Sequence, residues 1–522
     1  MRSKTTRPMI LIFPPVAKPC EPPAGVALLS GALNRAGIEF KTIDASIEGL
    51  MWLINSDIVP EDSWTRRALK NRDAIISNLK DPALYQNIDR YRQNVFDLNK
   101  LLTQAVDQTR FKITLADYQD LALSPVRSAD LIHSARSFDE NPFYGYFEAH
   151  LLPQLTAHDS RYVGISLCYL NQALVAFALA GWIKARFPEM KIIMGGGLIS
   201  SWARQPGFNH PFSDVIDILI EGEGEHPLLA VLGVPESSCR SVIPDYGFAP
   251  WDQYLAPGKI LPFRASIGCY WSKCRFCPEK AEVRPYHSDR ADRVVSQLEQ
   301  LIQRHAPESV HFIDNAVTPA VLKALCRRNQ DRESHHPFQW YGFVRFTKEL
   351  ADPDFCRDLA ASGCRMLNLG LESGDQSVLD RMNKGTDLEL ASRALKSLHQ
   401  AGILTYVYLL FGTAFEDQRA AIRTYEYVTA HEQWIDYLNL AVFNLPRFSE
   451  DAMDLDTHEF YEGDLSLYMN FTHPDGWERK QVKQFLDKHF KKNQSIAAII
   501  RKTPPYFTSN HAMFLHPEKE NV

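Results

Sequence analysis

The stretch LPFRASIGCYWSKCRFCPEK, Leu261–Lys280, joins a short apolar strand to a loop that carries Cys269, Cys274 and Cys277. Several readings compete for three thiols packed this closely. Free buried cysteines do not usually gather at such spacing. A structural zinc site wants four ligands and usually a second cysteine pair, and His287 is the one nearby supplement. A four-cysteine iron–sulfur centre would need Cys326, Cys356 or Cys364 to join from helices elsewhere. The remaining reading is a [4Fe–4S] cluster with three protein ligands. Electron-transfer clusters use four cysteines; one iron without a thiolate is open to a small chelating ligand. Phe276, between the last two cysteines, is placed to shield such a cluster from water.

Outward from this loop, the chain alternates strands and helices. The spacing predicts strands at 261–268, 310–314, 339–346, 366–373, 404–412 and 437–445, with helices over 291–305, 318–328, 353–363, 387–401 and 417–430 between them. In the 291–305 segment, Val294, Val295, Leu298, Leu301 and Ile302 keep helical spacing. Upstream, MILIFPP (9–15), EFKTIDA (39–45), YVGISL (162–167), KIIMGGG (191–197) and DILIEGEGE (217–225) read as strands, with helices over 25–37 and 171–187. Strands alternating with helices imply parallel, doubly wound sheets. A polar, helix-leaning insertion occupies 51–158 and carries no chemical motif. The expected organisation is an α/β domain over 1–235, a Pro/Gly linker over 236–260, a second α/β unit over 261–445 and a C-terminal cap over 446–522.

Composition sets bounds on this reading. Of the 522 residues, 45% are hydrophobic and 23% charged, ordinary values for a chain of several globular domains. A net charge of -6 does not point to a nucleic-acid binder, which would normally show a basic face. The apolar run at 173–183 is too short to span a bilayer, and the N-terminal apolar stretch ends at Pro14 and Pro15 and reads as a strand rather than a leader. Nine cysteines, scattered except for one cluster, do not form a disulfide framework and point to a reducing cytoplasm.

On these residues the chain resembles the radical SAM superfamily, and within it the members with an N-terminal cobalamin-binding domain. The commonest family spacing is C-x3-C-x2-C; here it is C-x4-C-x2-C, one residue longer. The resemblance implies a Rossmann-like cobalamin domain, a partial (β/α)6 barrel and a small cap. It also implies a [4Fe–4S] cluster whose open iron takes the amino and carboxylate groups of S-adenosylmethionine (SAM). One-electron reduction then yields methionine and a 5′-deoxyadenosyl radical. The electron would come from a donor such as flavodoxin or ferredoxin.

HFIDNAVTP (311–319) looks like the end of the family's second strand, with Asp314 near the SAM amino group. WYGFVRF (340–346) puts Arg345 where a basic residue meets the SAM carboxylate, and LGLESGDQSVLDRMNKGT (369–386) puts Glu372 near the amino or ribose groups. LLFGTAFED (409–417) resembles the adenine-binding turn through Gly412 and Glu416, with Ala414 where proline is frequent. Read singly, each has a plainer role: Asp314 as a helix cap, Arg345 as a surface ion pair, Glu372 as an anchor for the Gly374 turn. Together they fall in order at strand C-termini, where barrel active sites are built.

The first βαβ unit, LIFPPVAKPCEPPAGVALLSGALNRAGIEFKTIDA (11–45), is similar to that of cobalamin domains. The resemblance implies corrin-supporting loops around Pro23, Ser166 and Gly195, Gly196 and Gly197. No D-x-H-x-x-G follows the first strand, so no histidine is supplied for the lower cobalt position. The expected chemistry is C-methylation of an unactivated carbon. The alternatives are rearrangement, cyclisation or sulfur insertion without cobalamin, and a non-catalytic iron–sulfur or zinc protein. Glu221, Glu223 and Glu225 read mainly as helix N-terminal charges. His511 and Asn510, in YFTSNHAMFLHP (506–517), read as part of a closing segment or a lid.

Overall fold

A computed structural model describes residues 8–234, 242–330, 338–505 and 509–515. The chain divides into two compact units. The first holds residues up to Leu84, Asp89–Pro257 and Tyr461–Leu467, and the second holds Tyr85–Ile88, Gly258–Phe460 and Tyr468 onward. The chain passes from the first unit to the second at Pro257/Gly258, and the tail is shared between the units.

In the first unit, β1 (Met9–Phe13), β2 (Phe40–Asp44), β3 (Tyr162–Ser166), β4 (Lys191–Gly195) and β5 (Ile218–Leu219) form one sheet in the order β2-β1-β3-β4-β5. Every pairing is parallel. Both faces are covered by helices, which is why the strands read as continuous apolar runs: all five residues of β1 are buried. The helix α1 (Ala24–Ala36) links β1 to β2 and ends on Gly37 in the left-handed conformation. The order reverses between β1 and β3, and in open α/β sheets a ligand crevice forms at that switch, beyond the strand C-termini. The expected strand at 217–225 shortens to two residues. Glu225 begins the next helix, Glu225–Val231, and Glu221 pairs with Arg204 at 3.0 Å.

The 51–158 insertion is mainly helical, with its longest helix over Ile88–Gln104 and one small hairpin, Phe111–Ile113 with Tyr118–Asp120. Its polar composition conceals a core: Tyr91, Val95, Leu98, Leu101 and Leu102 are fully buried.

In the second unit, β6 (Ile260–Phe263), β7 (Ser309–Phe312), β8 (Gln339–Val344), β9 (Cys364–Glu372), β10 (Leu404–Phe411) and β11 (Tyr437–Val442) pair in sequential order. All five pairings are parallel. This is the six-strand order of a partial (β/α)6 barrel. The helix α2 (Ala291–His305) buries the five apolar residues its spacing picks out, each worth roughly 1.5–3 kcal/mol.

One expected strand divides. Residues 261–268 leave the sheet after Phe263, and Ser266–Ile267 pair antiparallel with His287–Ser288. The break is held by Asp314, whose carboxylate accepts the Ala265 N–H (2.9 Å) and the Ser266 hydroxyl (2.6 Å). Beyond β11, Leu445–Pro446, Thr457–Glu459 and Tyr468–Phe471 form a small antiparallel sheet, followed by α3 (Arg479–Lys488). His511 is buried, in an edge-to-face contact with Tyr85; residues 506–508 and 516–517 of the expected closing segment lie outside the described residues.

Candidate functional site

Cys269, Cys274 and Cys277 follow the divided first strand, at the C-terminal end of the six-stranded sheet, and none is in a disulfide. Cys274 is buried and the other two are partly exposed. The loop is pinned to the turn at 382–385. The Arg275 N–H donates to the Met382 carbonyl (3.0 Å) and the Trp271 indole N–H donates to the Asn383 carbonyl (2.8 Å). The Trp271 ring fills the space where a side chain on Gly385 would stand. Ser272 sits at φ 46°, which lets the longer C-x4-C loop turn while Trp271 stays docked. On the other side, Arg275 pairs with Asp451 and Lys280 reaches Glu450 at 3.0 Å.

Among the described residues no three His, Cys, Asp or Glu side chains converge as ligands of one metal ion. Thiolates that bind separate irons of a cluster stand farther apart than that. His287 is exposed on its two-residue strand. Burial pushes the Cys274 thiol up, opposed by the nearby Lys384 and Arg345 cations. Burial also raises Cys277, to about 11. Two buried cations beside thiols are the charge complement that an anionic cluster requires.

The four strand-end residues all stand at or just past strand C-termini, and Asp314, Arg345 and Glu372 do not have their plainer roles, the Gly374 N–H going to Thr424 instead. Asp314, two residues past β7, is 3% exposed and holds the strand break rather than a helix cap; burial raises its carboxyl, against the Ser266 and Ala265 bonds. Arg345, next after β8, is 8% exposed and is no surface ion-pair partner. Its guanidinium stacks over Trp271 at 4.5 Å, lies 3.8 Å from the Cys274 sulfur and donates to the Lys384 carbonyl. Glu372 ends β9 at φ 66° and pairs with Lys384 at 2.8 Å. A non-glycine residue in that conformation stores strain, which concentrates at functional sites. Phe276 lies under the Lys384 ammonium, 5.6 Å from ring to nitrogen.

Gly412, at φ 80°, follows β10, and its N–H donates to Glu416. The same carboxylate oxygen accepts the Trp477 indole N–H at 3.1 Å, and the other oxygen is buried without a partner.

Lys384, Trp271 and Trp477 were not singled out from sequence. A lysine in a turn reads as solvated; its burial follows from Glu372, twelve residues upstream. Asn368 is a further residue of this kind. It is fully buried on β9, in register with Phe343 and Tyr406, and both its amide atoms lack partners. An unpaired buried amide costs about 1–3 kcal/mol, a cost that a ligand or a water meeting that amide removes.

Residues 265–425 match the radical SAM superfamily. This segment is a radical SAM domain. It contains the three cysteines and the four strand-end residues. Among curated relatives, the anaerobic magnesium-protoporphyrin IX monomethyl ester cyclase of Rubrivivax gelatinosus is 24% identical over 259 residues, covering 48% of this chain and 45% of the relative. The tryptophan 2-C-methyltransferase of Streptomyces laurentii is 27% identical over 176 residues, 31% and 28% of the two chains. The chain thus spans less than half the length of either relative. Two solved structures share the fold around the radical SAM domain. The radical SAM methyltransferase TsrM from Kitasatospora setae, with tryptophan and a SAM analogue, has a TM-score of 0.52 at 14% identity, over 86% of this chain and 76% of that one. The cobalamin-dependent radical enzyme OxsB has a TM-score of 0.54 at 12% identity, over 93% and 67%. These matches cover most of the chain, and the α/β fold with parallel sheets expected from sequence holds.

Glu416 gives the radical SAM domain a pH signature. Burial raises its carboxyl from 4.5 to about 7, against the Gly412 and Trp477 bonds. A carboxyl raised on folding leaves stability intact below its unfolded value and withdraws it as pH climbs through the folded one. Glu416→Gln keeps an acceptor for both donors and removes the charge. Parent stability is expected to fall by up to about 3 kcal/mol between pH 4.5 and 7 on this account, and the variant's decline to be flatter by that amount. Urea unfolding at pH 5 and pH 8 measures both; equal declines would contradict the assignment.

Proposed function

We propose that the chain is a radical SAM enzyme with a three-cysteine [4Fe–4S] cluster, SAM at the strand ends of the second unit and cobalamin on the first. Its reaction is methylation of an unactivated carbon. The observation that carries this reading is the cysteine loop docked at the C-terminal end of a six-stranded parallel sheet, with Asp314, Arg345, Glu372 and Gly412 on successive strand ends. When bound, the cofactors supply reductive cleavage of SAM and a transferable methyl group; the protein's part is binding, orientation and exclusion of water.

In this reading Cys269, Cys274 and Cys277 are the cluster ligands, and Phe276 covers them. Lys384 and Arg345 offset the cluster's negative charge from the protein side. Glu372, held at a fixed angle by Lys384, receives the SAM amino or ribose groups, and the Gly412 turn lies against the adenine. Asp314, which holds the turn leading into the cysteine loop, acts as a positioning residue. In the first unit the loops beyond β1, β3 and β4 would support a corrin through Pro23, Ser166 and Gly195–Gly197. Those loops fit a flat ligand: Tyr169 (56%) and Leu170 (36%) are large apolar side chains left exposed beside the switch between β1 and β3. A flavodoxin- or ferredoxin-type donor would supply the electron. Within the described residues no helix is long and apolar enough to cross a membrane.

A second reading, cyclisation without cobalamin, is favoured by the name of the Rubrivivax gelatinosus relative. The two readings part on cobalamin: the first requires it and the second does not.

The SAM assignment has its own test. Glu372→Ala strands Lys384 as a buried unpaired cation, at a cost of about 3–5 kcal/mol, so Glu372→Gln is the cleaner variant. SAM affinity, followed by the change SAM causes in the reduced cluster's EPR spectrum, is expected to fall about tenfold or more. Iron content should stay at the parent value. Arg345→Ala should lower both, because its guanidinium also braces Trp271 and Cys274. Normal SAM affinity in Glu372→Gln would remove Glu372 from the site.

A further inference from the structure

A cavity of about 310 Å³ opens beyond β11, bounded by the small antiparallel sheet and by the first turn of α3. At about 30 Å³ per water, it has room for a ligand of roughly ten non-hydrogen atoms. One side is apolar and aromatic, built from Val442, Phe443, Met469, Phe471 and Trp477. Phe443 and Phe471 meet edge-to-face at 6.0 Å, leaving a firm wall for a flat group.

The other side is cationic. Arg479 and Lys480 both line the cavity, and among the described residues neither has an ion-pair partner. Arg479 is held in place: it donates to the Phe443 carbonyl (3.0 Å) and to the Asn444 side chain (2.8 Å), and it stacks on Phe460 at 5.1 Å. Lys480 is exposed. The acid on the wall, Glu478, accepts the His473 N–H at 2.9 Å. His473 accepts the Asp475 N–H on Nδ1, and its Nε2 lies 3.0 Å from the Thr413 carbonyl oxygen. Two cations, one acid and the exposed His458 therefore line the cavity beside its apolar wall.

We propose that this cavity is a binding site for a small organic carboxylate with a flat apolar body, its ring against Phe443 and Phe471 and its carboxylate at Arg479 and Lys480. A guanidinium fixed by two other bonds loses little freedom on meeting a carboxylate. The walls also tie the site to the end of β10. Trp477 donates to Glu416, His473 meets Thr413, and Gly412 itself lines the cavity. Occupancy thus bears on the turn assigned to adenine, and the carboxylate is a substrate part or an effector read at that turn.

The probe is 3-phenylpropionate, titrated into the full-length protein and followed by ligand-observed NMR. Its uncharged analogue 3-phenylpropan-1-ol and inorganic phosphate serve as comparisons. Saturable binding of the acid is expected, with the alcohol and phosphate each at least tenfold weaker. Arg479→Gln should weaken the acid about tenfold. Lys480→Gln, at an exposed position where folding is not at stake, should weaken it at least threefold. Iron content should be unchanged in both. Absence of saturable binding, equal binding of the alcohol or of phosphate, or an unaltered Lys480→Gln would each overturn the proposal. Displacement of the acid by SAM would also overturn it, by making the cavity the adenine end of the SAM site.

Discussion

Cys269→Ala, Cys274→Ala and Cys277→Ala are each expected to yield protein with essentially no iron–sulfur cluster, against about four irons per chain in the anaerobically reconstituted parent. Three thiolates leave no spare ligand, so the loss should be total for each substitution. The other described cysteines of the second unit are poor substitutes. Cys326, Cys356 and Cys364 are buried, and burial pushes their thiols up, to about 11 for Cys326, about 12 for Cys356 and well above the ordinary value for Cys364. Cys364 begins β9, at the end of the strand opposite the cysteine loop, and Cys326 and Cys356 are held inside the helices Pro319–Gln330 and Pro353–Ala361. Iron and sulfide analysis with the visible charge-transfer absorption measures the outcome. A cluster retained in any one variant would mean that another cysteine takes part, and zinc in place of iron would end the radical reading.

The second large effect concerns the first unit. Among the three glycines after β4, the direction a side chain would take at Gly196 is filled by the Leu167 backbone, and its φ is 109°. Gly196 is thus demanded by the packing of the strand ends themselves, and Gly196→Phe would disturb the sheet whether or not a corrin binds. Gly197 differs: it is exposed, and an added Cβ meets only the Cys168 carbonyl, at 3.7 Å. Gly197→Phe is therefore expected to abolish cobalamin retention, at least tenfold by absorbance after loading and gel filtration, with unchanged thermal unfolding and iron content. The loops at 14–23, 167–170, 195–197 and 221–224 hold no histidine, so the bound Co(II) form should show no axial imidazole hyperfine splitting. Parent protein that retains no cobalamin under any loading condition would remove the methylation reading and leave cyclisation in front.

Much of the fold was legible because its elements are decided locally. The apolar stripe of α2 fixes a helix wherever it lies, and all six strands of the second sheet stand close to where their β-branched and aromatic runs put them. The first strand was read five residues too long, since the bend after Phe263 is imposed by Asp314, some fifty residues downstream. A carboxylate acting on a distant backbone leaves no periodic trace. The candidate site divides in the same way. Its cysteines and strand-end residues stand out by type and position. Lys384, Trp271 and Trp477 do not, because each acquires its role from a partner distant in sequence. The tail read as one cap for the same reason: nothing in residues 461–467 marks them as packing with the first unit.

The measurement that tests the central claim most directly is anaerobic incubation of the reconstituted chain with SAM and dithionite, followed by chromatography for 5′-deoxyadenosine. Slow formation of 5′-deoxyadenosine and methionine in equal amounts is expected even without substrate, and none from Cys274→Ala. Protein that carries a full cluster, binds SAM and forms no 5′-deoxyadenosine above the Cys274→Ala background would contradict the account.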